Sequence, residues 1–297
     1  MRKGRGCIFK MKRKLFPYFL VLPTMIVIIL FNVYPILRML YQSFHQWNMI
    51  NDMQFIGFDN FIKLASDKVF LQSLGNTFYF VFWNVLLCTG LGLLLAVFLQ
   101  KNTRFNRFLQ SISFFPYVVS LASVSLLWSW IMNKDYGLLN YVISFFGITS
   151  QDWLGSPGLA MNSIILISVW KSVGFNVLIF ISALQRIPKY IYEAAILDNS
   201  GSFQFFRKIT LPMISPTLFF ITIINIINSF KIFETVQILT RGGPLNSTRT
   251  IVYEIYEEGT LFFNVGYASA MGVVLLVILA ILTIIYFKTQ SKRVQYQ

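Results

Sequence analysis

The chain has 297 residues, of which 56% are hydrophobic and only 12% charged, with a mean hydropathy of +0.64. A soluble domain of this length has no use for so apolar a composition, so lipid is the expected solvent. The net charge of +14 and pI near 9.8 would suggest a nucleic-acid partner in a soluble protein. Here the basic residues are split among four short segments at one membrane face, which reads as anchoring to anionic lipid, and no nucleic-acid partner is expected.

In chain order, residues 1–14 form a basic leader, and the apolar run at 15–41 follows it. That run is longer than the roughly 7–15 residues of a signal-peptide core, so it is expected to stay as a first helix. Five further runs reach the length of about 20 residues that a membrane-spanning helix requires. They lie near 73–99, 108–132, 159–184, 213–239 and 261–287. Long apolar runs exclude a porin-like barrel, whose strands alternate over about ten residues. The expected fold is therefore an all-α membrane protein of six transmembrane helices, with a domain over 15–287 and a cytoplasmic tail over 288–297.

Orientation follows from charge. With both termini inside, the inner segments hold Arg2, Lys3, Arg5, Lys10, Lys12, Arg13 and Lys14; Lys101, Arg104 and Arg107; Arg186, Lys189, Arg207 and Lys208; and Lys288, Lys292 and Arg293. The outer segments hold only Lys63, Lys68, Lys134, Arg241 and Arg249, together with most of the carboxylates. The termini and the 186–212 loop are thus expected in the cytoplasm.

Several chemistries find no support. Cys7 lies in the leader and Cys88 inside the second apolar run, so they form no disulfide framework. His45 has no Cys or Glu cluster around it and is expected as a surface or interface histidine, with no metal site. No GxxxxGK[ST] phosphate loop occurs in the chain, and no nucleophile–base constellation lies within the spans.

The ionisable residues inside the later spans are Lys171, Lys231 and Glu234, functional candidates by default because a charge in a membrane helix needs a polar cavity or a partner. Lys231 and Glu234 are three apart, and on one helix they could form an ion pair. Asn225, Asn228 and Ser229 precede them and complete a polar stripe on one helix face, which implies a wet pathway or a hydrogen-bonded helix seam. Trp170, Lys171, Ser172, Gly174, Phe175 and Asn176 cluster on the fourth span.

The segment 193–212, EAAILDNSGSFQFFRKITLP, is longer than a simple return across the membrane demands. Glu193, Ala194, Ala195, Asp198, Phe206, Ile209, Thr210, Leu211 and Pro212 resemble the EAA loop of permease subunits of binding-protein-dependent ABC importers, and the likeness is closest to the carbohydrate branch (maltose, glycerol phosphate and raffinose-type permeases). The loop's usual Gly after the Asp is Asn199 here, with Gly201 two places later; Asn tolerates the left-handed turn. WKSVGFN at 170–176, LQRIP before the loop, Trp47 and Asn48, FIGFDNF at 55–61, Asn76 and Thr77, and LTRGGPLNST at 239–248 extend the likeness over nearly the whole chain.

That resemblance implies a cytoplasmic coupling helix within about 186–212. Glu193 would orient it, Ala194 and Ala195 would permit close approach to an ATPase, and Pro212 would start the next helix. It implies cargo contacts at Ser172, Phe175, Asn176, Asn225 and Ser229, with Lys171, Asn228, Lys231 and Glu234 beside them. The implied partners are a second homologous permease, two ATPase subunits that bind ATP and Mg, and an extracytoplasmic solute-binding protein; the chain itself would bind no cofactor. The implied cargo is an oligosaccharide or related polyol, with glycerol phosphate or a glycan fragment as alternatives. An ion-coupled secondary transporter is the rival of another class, and it would predict internal repeats and an isolated ion-binding carboxylate.

Overall fold

The computed structural model describes residues 18–188, 190–191 and 201–290. These residues group into two units, one of residues up to 63 with 258–274 and one of residues 64–257 with 275 onward. Among them, four helices are long and apolar enough to cross a membrane, or six spans if each of two bent pairs counts as one.

In the first unit, α1 (Tyr18–Ser43) is exposed along most of its length, and it carries a π segment at Ile29–Val33. It leads to a two-residue antiparallel pairing, β1 (His45–Gln46) with β2 (Gln54–Phe55). Asn60, on α2 (Asp59–Ser66), donates to the carbonyls of Ser43 and His45 at 2.9 and 3.0 Å and so ties that helix to the turn. His45 is buried, not at the surface: its Nδ1 lies 2.7 Å from the Tyr41 carbonyl, and its ring packs between Tyr41 and Phe55. The aromatic residues around it, dispersed in sequence, supply that burial.

The second unit is built on α3 (Lys68–Leu99) and α7 (Pro157–Leu184). Asp67 caps α3 by accepting from the Val69 amide at 2.8 Å, and the helix starts at Lys68, outside the apolar run. At 32 residues it is about 48 Å long and exceeds the roughly 30 Å hydrocarbon core. Nine of its ten buried residues, Phe70, Ser73, Thr77, Phe80, Asn84, Cys88, Gly92, Ala96 and Leu99, recur every three or four positions and form one seam, which Val81 widens. Small residues along that seam let backbones approach, as membrane helices require when lipid supplies no hydrophobic drive. A Cβ at Gly92 would stand 2.7 Å from that of Asn176 on α7. Ala96, Val177, Phe180, Ile181 and Leu184 close one end of the core, and Phe80, Cys88, Ile164 and Val169 fill another part of it.

Two of the apolar runs are broken. The run at 108–132 divides into α4 (Arg104–Val118) and α5 (Leu121–Ile131), bent by 100° at Val119 and Ser120, and the short α6 (Leu138–Ser144) follows. Pro116 sits in the last turn of α4, where it removes a donor and loosens the ladder just before the bend. The run at 213–239 is not one helix either. α8 (Phe203–Met213) meets α9 (Ser215–Phe230) at a 71° bend, and the longer helix restarts at Ser215 with Pro216 in its first turn. Pro212 therefore stands inside the last turn of α8 rather than at the start of the next long helix. α9 ends at Phe230, and a separate short helix, α10 (Glu234–Leu239), follows.

Beyond α10 the chain turns at residues 240–250 and enters α11 (Ile251–Tyr256). Asn76 on α3 donates to the carbonyls of Asn246 and Arg249 at 2.7 and 2.9 Å, and the Thr77 hydroxyl accepts from the Ile251 amide at 2.9 Å. Gly242 has φ +77, and a Cβ there would lie 2.8 Å from the Tyr253 ring, so both conformation and space select glycine. Arg249 bridges Glu254 at 2.8 Å and also pairs with Glu257. The last helix, α12 (Val265–Gln290), starts past the 261 at which its apolar run begins, because a π segment (Glu257–Leu261) and Phe263 at φ +56 precede it.

Candidate functional site

A cavity of about 460 Å³ opens among α3, α4, the start of α5, α7, α9 and α10 of the second unit. Of the residues singled out from sequence, Lys171, Ser172 and Phe175 reach it from α7, and Asn225, Asn228 and Ser229 from α9. Lys231 and Glu234 reach it from the break beyond α9 and from the first turn of α10. Asn176 does not line it: that side chain is 1% exposed and donates to the Cys88 carbonyl across the α3–α7 seam at 3.0 Å.

Polar groups on the α3 side are spent on one another. Asn84 donates to the Ser229 hydroxyl at 2.8 Å, Ser229 donates to the Asn225 carbonyl at 2.6 Å, and Asn225 donates to Thr89 at 3.1 Å. The stripe on α9 is thus partly a hydrogen-bonded seam between helices and partly a wall, with Asn228 exposed. The seam holds Asn225 and Ser229, and Asn228 is left facing the cavity.

Lys171 has a use that sequence alone does not reveal. Its ammonium donates to the carbonyls of Pro116, Tyr117 and Val119 at 3.2, 3.2 and 2.7 Å. Those are carbonyls at the end of α4, left without intrahelical partners by the break, and a cation there also meets the negative end of the helix dipole. Lys171 is therefore a C-terminal cap supplied from another helix. The same geometry stacks Tyr117 on Phe175, with ring centroids 4.8 Å apart and planes within 17°, so Phe175 already has an aromatic partner on one face.

Lys231 and Glu234 form no ion pair among the described residues. The helix stops at Phe230, and residues 231–233 are not helical, so the three-residue spacing that would have brought the two side chains together does not apply. Sequence reasoning missed Phe80, Asn84, Tyr117, Ser168 and Thr235 as cavity residues. Asn84, a lone amide in an apolar run, was the available signal among them.

Of the coupling-loop residues, Glu193, Ala194, Ala195, Asp198 and Asn199 lie outside the described residues. Gly201 is exposed, and its carbonyl accepts from the Phe205 amide at 3.0 Å as α8 begins. Leu211 and Pro212 are half-buried in the last turn of α8, beside the buried Thr210.

Several apolar helices, two of them broken, around a cavity walled by amides, hydroxyls and a few charges make this a multi-pass membrane protein with the build of a solute permease. Residues 89–296 match the family described as "Binding-protein-dependent transport system inner membrane component", and the chain belongs to that family. Among curated relatives, the sn-glycerol-3-phosphate transport system permease protein UgpA of Escherichia coli (strain UTI89 / UPEC) is 33% identical over 285 residues, covering 95% of this chain and 96% of that one. UgpA of Pectobacterium atrosepticum is 33% identical over 290 residues, covering 95% of this chain and 96% of its own. A crystal structure of a bacterial ABC transporter involved in the import of the acidic polysaccharide alginate contains a chain of the same fold, with TM-score 0.84 at 23% identity over 96% of this chain and 98% of that one. A second, of a bacterial alginate ABC transporter in complex with alginate pentasaccharide-bound periplasmic protein, gives TM-score 0.86 at 23% identity over 96% and 97%. The relatives are transport permeases of the carbohydrate branch, as the loop motif implied.

Proposed function

We propose that this chain is one of two permease subunits of an ATP-driven importer for an oligosaccharide or related polyol, and that its cavity is its share of the translocation pathway. The observation that carries this reading is the wall of Ser168, Ser172, Asn225, Asn228 and Ser229 facing 460 Å³ of space inside an otherwise apolar helical unit. Amides both donate and accept, which suits a solute dense in hydroxyls. Glycerol phosphate is the second reading of the cargo, favoured by the named activity of the UgpA relatives.

In this mechanism a solute-binding protein delivers cargo at the outer face, and two ATPase subunits carry the nucleotide and Mg chemistry that this chain leaves to them. Both termini and the 186–212 loop lie in the cytoplasm, where the basic residues concentrate. Closure of the ATPases moves the coupling segment with Glu193, Ala194, Ala195, Asp198, Asn199, Gly201, Leu211 and Pro212, and the attached helices switch the cavity between sides. The exposed face of α1 is available to lipid and to the second permease.

The test is uptake with the complete transporter in vesicles, comparing wild type with Asn228→Leu and Ser172→Leu. Both variants are expected to lose uptake at least tenfold while the assembled complex and its ATP hydrolysis persist. Unchanged uptake in both would refute the assignment of the cavity to the pathway.

A further inference from the structure

This inference rests on the reading that the cavity belongs to the translocation pathway, and it concerns the charge of what passes. Three charged residues are among those lining the cavity: Lys171, Lys231 and Glu234. The first is already committed, because its ammonium holds three carbonyls at the end of α4. Lys231 is different. It is exposed to the cavity, and among the described residues its ammonium has neither a hydrogen-bond acceptor nor a carboxylate partner.

Its backbone position explains why. Lys231 is the residue at which α9 stops, so the side chain leaves the helix face that a continuous span would have shared with Glu234. The half-charge of the α9 C-terminus there is opposed by that of the α10 N-terminus three residues on. Two ammoniums against one carboxylate leave this wall with about one unit of positive charge. An ammonium without a counter-ion in a membrane interior is costly unless its counter-ion arrives from elsewhere.

We propose that the cavity selects a hydroxyl-rich solute bearing a negative charge, a carboxylate or a phosphate, and that Lys231 is the residue that reads this charge. The amides and hydroxyls beside it recognise the rest of the solute, and Lys171 holds the frame without taking part in selection.

The experiment measures the charge of the cavity without knowing the cargo. In the complete transporter in native membranes, with Cys7 and Cys88 replaced by Ala, Ser172→Cys is labelled with an anionic and with a cationic methanethiosulfonate, and the ratio of the two rates is taken. The anionic reagent is expected to be favoured, and Lys231→Met to lower the ratio by on the order of tenfold, the scale of one charge removed from a partly water-filled cavity; Lys231→Arg should keep it. If neither reagent labels the cysteine, the pathway reading itself fails. If both label it and the ratio ignores Lys231, the pathway stands and the charge proposal is overturned. Repeating the labelling with excess glucuronate, glycerol 3-phosphate or glucose separates the two anions: the one that the cavity takes slows labelling, and does so only while Lys231 is present. Slowing by neither anion, or by glucose to the same degree, overturns the proposal.

Discussion

At the scale of single residues, two of the charges inside the second unit, Lys171 and Arg249, are structural, and the partners of Lys171 are distant in sequence. Lys171 meets carbonyls 52 to 55 positions away. Removing its ammonium strands three acceptors at a helix end in low dielectric, where a charge-assisted hydrogen bond is worth about 1.5–3 kcal/mol. Lys171→Met is therefore expected to destabilise the purified chain by about 2–3 kcal/mol, with Lys171→Arg close to wild type, as read by unfolding in mild detergent. A wild-type midpoint in the Met variant would show that the cap is dispensable. Arg249 poses the same question beside the 240–250 turn, where it bridges Glu254, itself 2% exposed, and Glu257. Breaking a buried pair leaves an uncompensated charge, so Arg249→Met should cost about 3–5 kcal/mol. The double variant Arg249→Met with Glu254→Gln should recover part of that loss, and a double-mutant cycle measures the recovery. Strict additivity of the two substitutions would mean that the pair contributes nothing.

At the scale of elements, close approach of α7 to its neighbours shapes the cavity. A Cβ at Gly174 would collide with the Ser113 carbonyl on α4 and stand 2.8 Å from the Phe114 amide nitrogen. The obstacle is backbone, so α4 would have to move. Gly174→Ala is accordingly expected to destabilise by about 1–3 kcal/mol, in the range of overpacking. At Gly90 on α3 nothing lies within 4 Å, and Gly90→Ala should stabilise by roughly 0.5–1 kcal/mol through helix propensity alone. Thermal melting of the two variants side by side would expose any error, since equal shifts of one sign contradict the packing argument. Hydropathy located all six apolar runs because each is long enough to dominate its own window. It was blind to the breaks at Val119 and at Ile214, since a bend leaves mean hydropathy unchanged and Pro116 or Pro216 can equally sit in a helix turn that stays straight. The cavity was legible in part: Ser172, Asn228 and Lys231 announced themselves as polar residues in apolar runs, and they line it. Asn176 looked the same and instead ties α7 to α3, because a lone amide in a span carries no mark of which neighbour it will find. Tyr117 and Phe80 line the cavity too, and nothing distinguishes them in sequence from other aromatic core residues.

At the scale of the whole molecule, the proposed importer joins the cavity of this chain to a drive supplied by its ATPase partners. Residues 193–199 carry the loop motif on the resemblance alone, and they stand just before α8, the helix that bends into α9 and so into the cavity wall. A push delivered at the loop has a covalent route of one bent helix pair to Asn225, Asn228 and Ser229. On the proposed coupling role, the small side chains of Ala194 and Ala195 leave room for close approach of an ATPase, and a large one there would hold the two apart. Ala194→Trp is therefore expected to leave the chain folded and inserted, to leave ATP hydrolysis by the assembled complex within about twofold of wild type, and to lower uptake at least tenfold. Measuring both rates on the same vesicles separates the possibilities. Parallel loss of hydrolysis and uptake would indicate failed assembly, and normal uptake would mean that this loop does not transmit the drive. Loss of uptake alone, with hydrolysis retained, is the signature of a coupling surface acting on the cavity through α8 and α9.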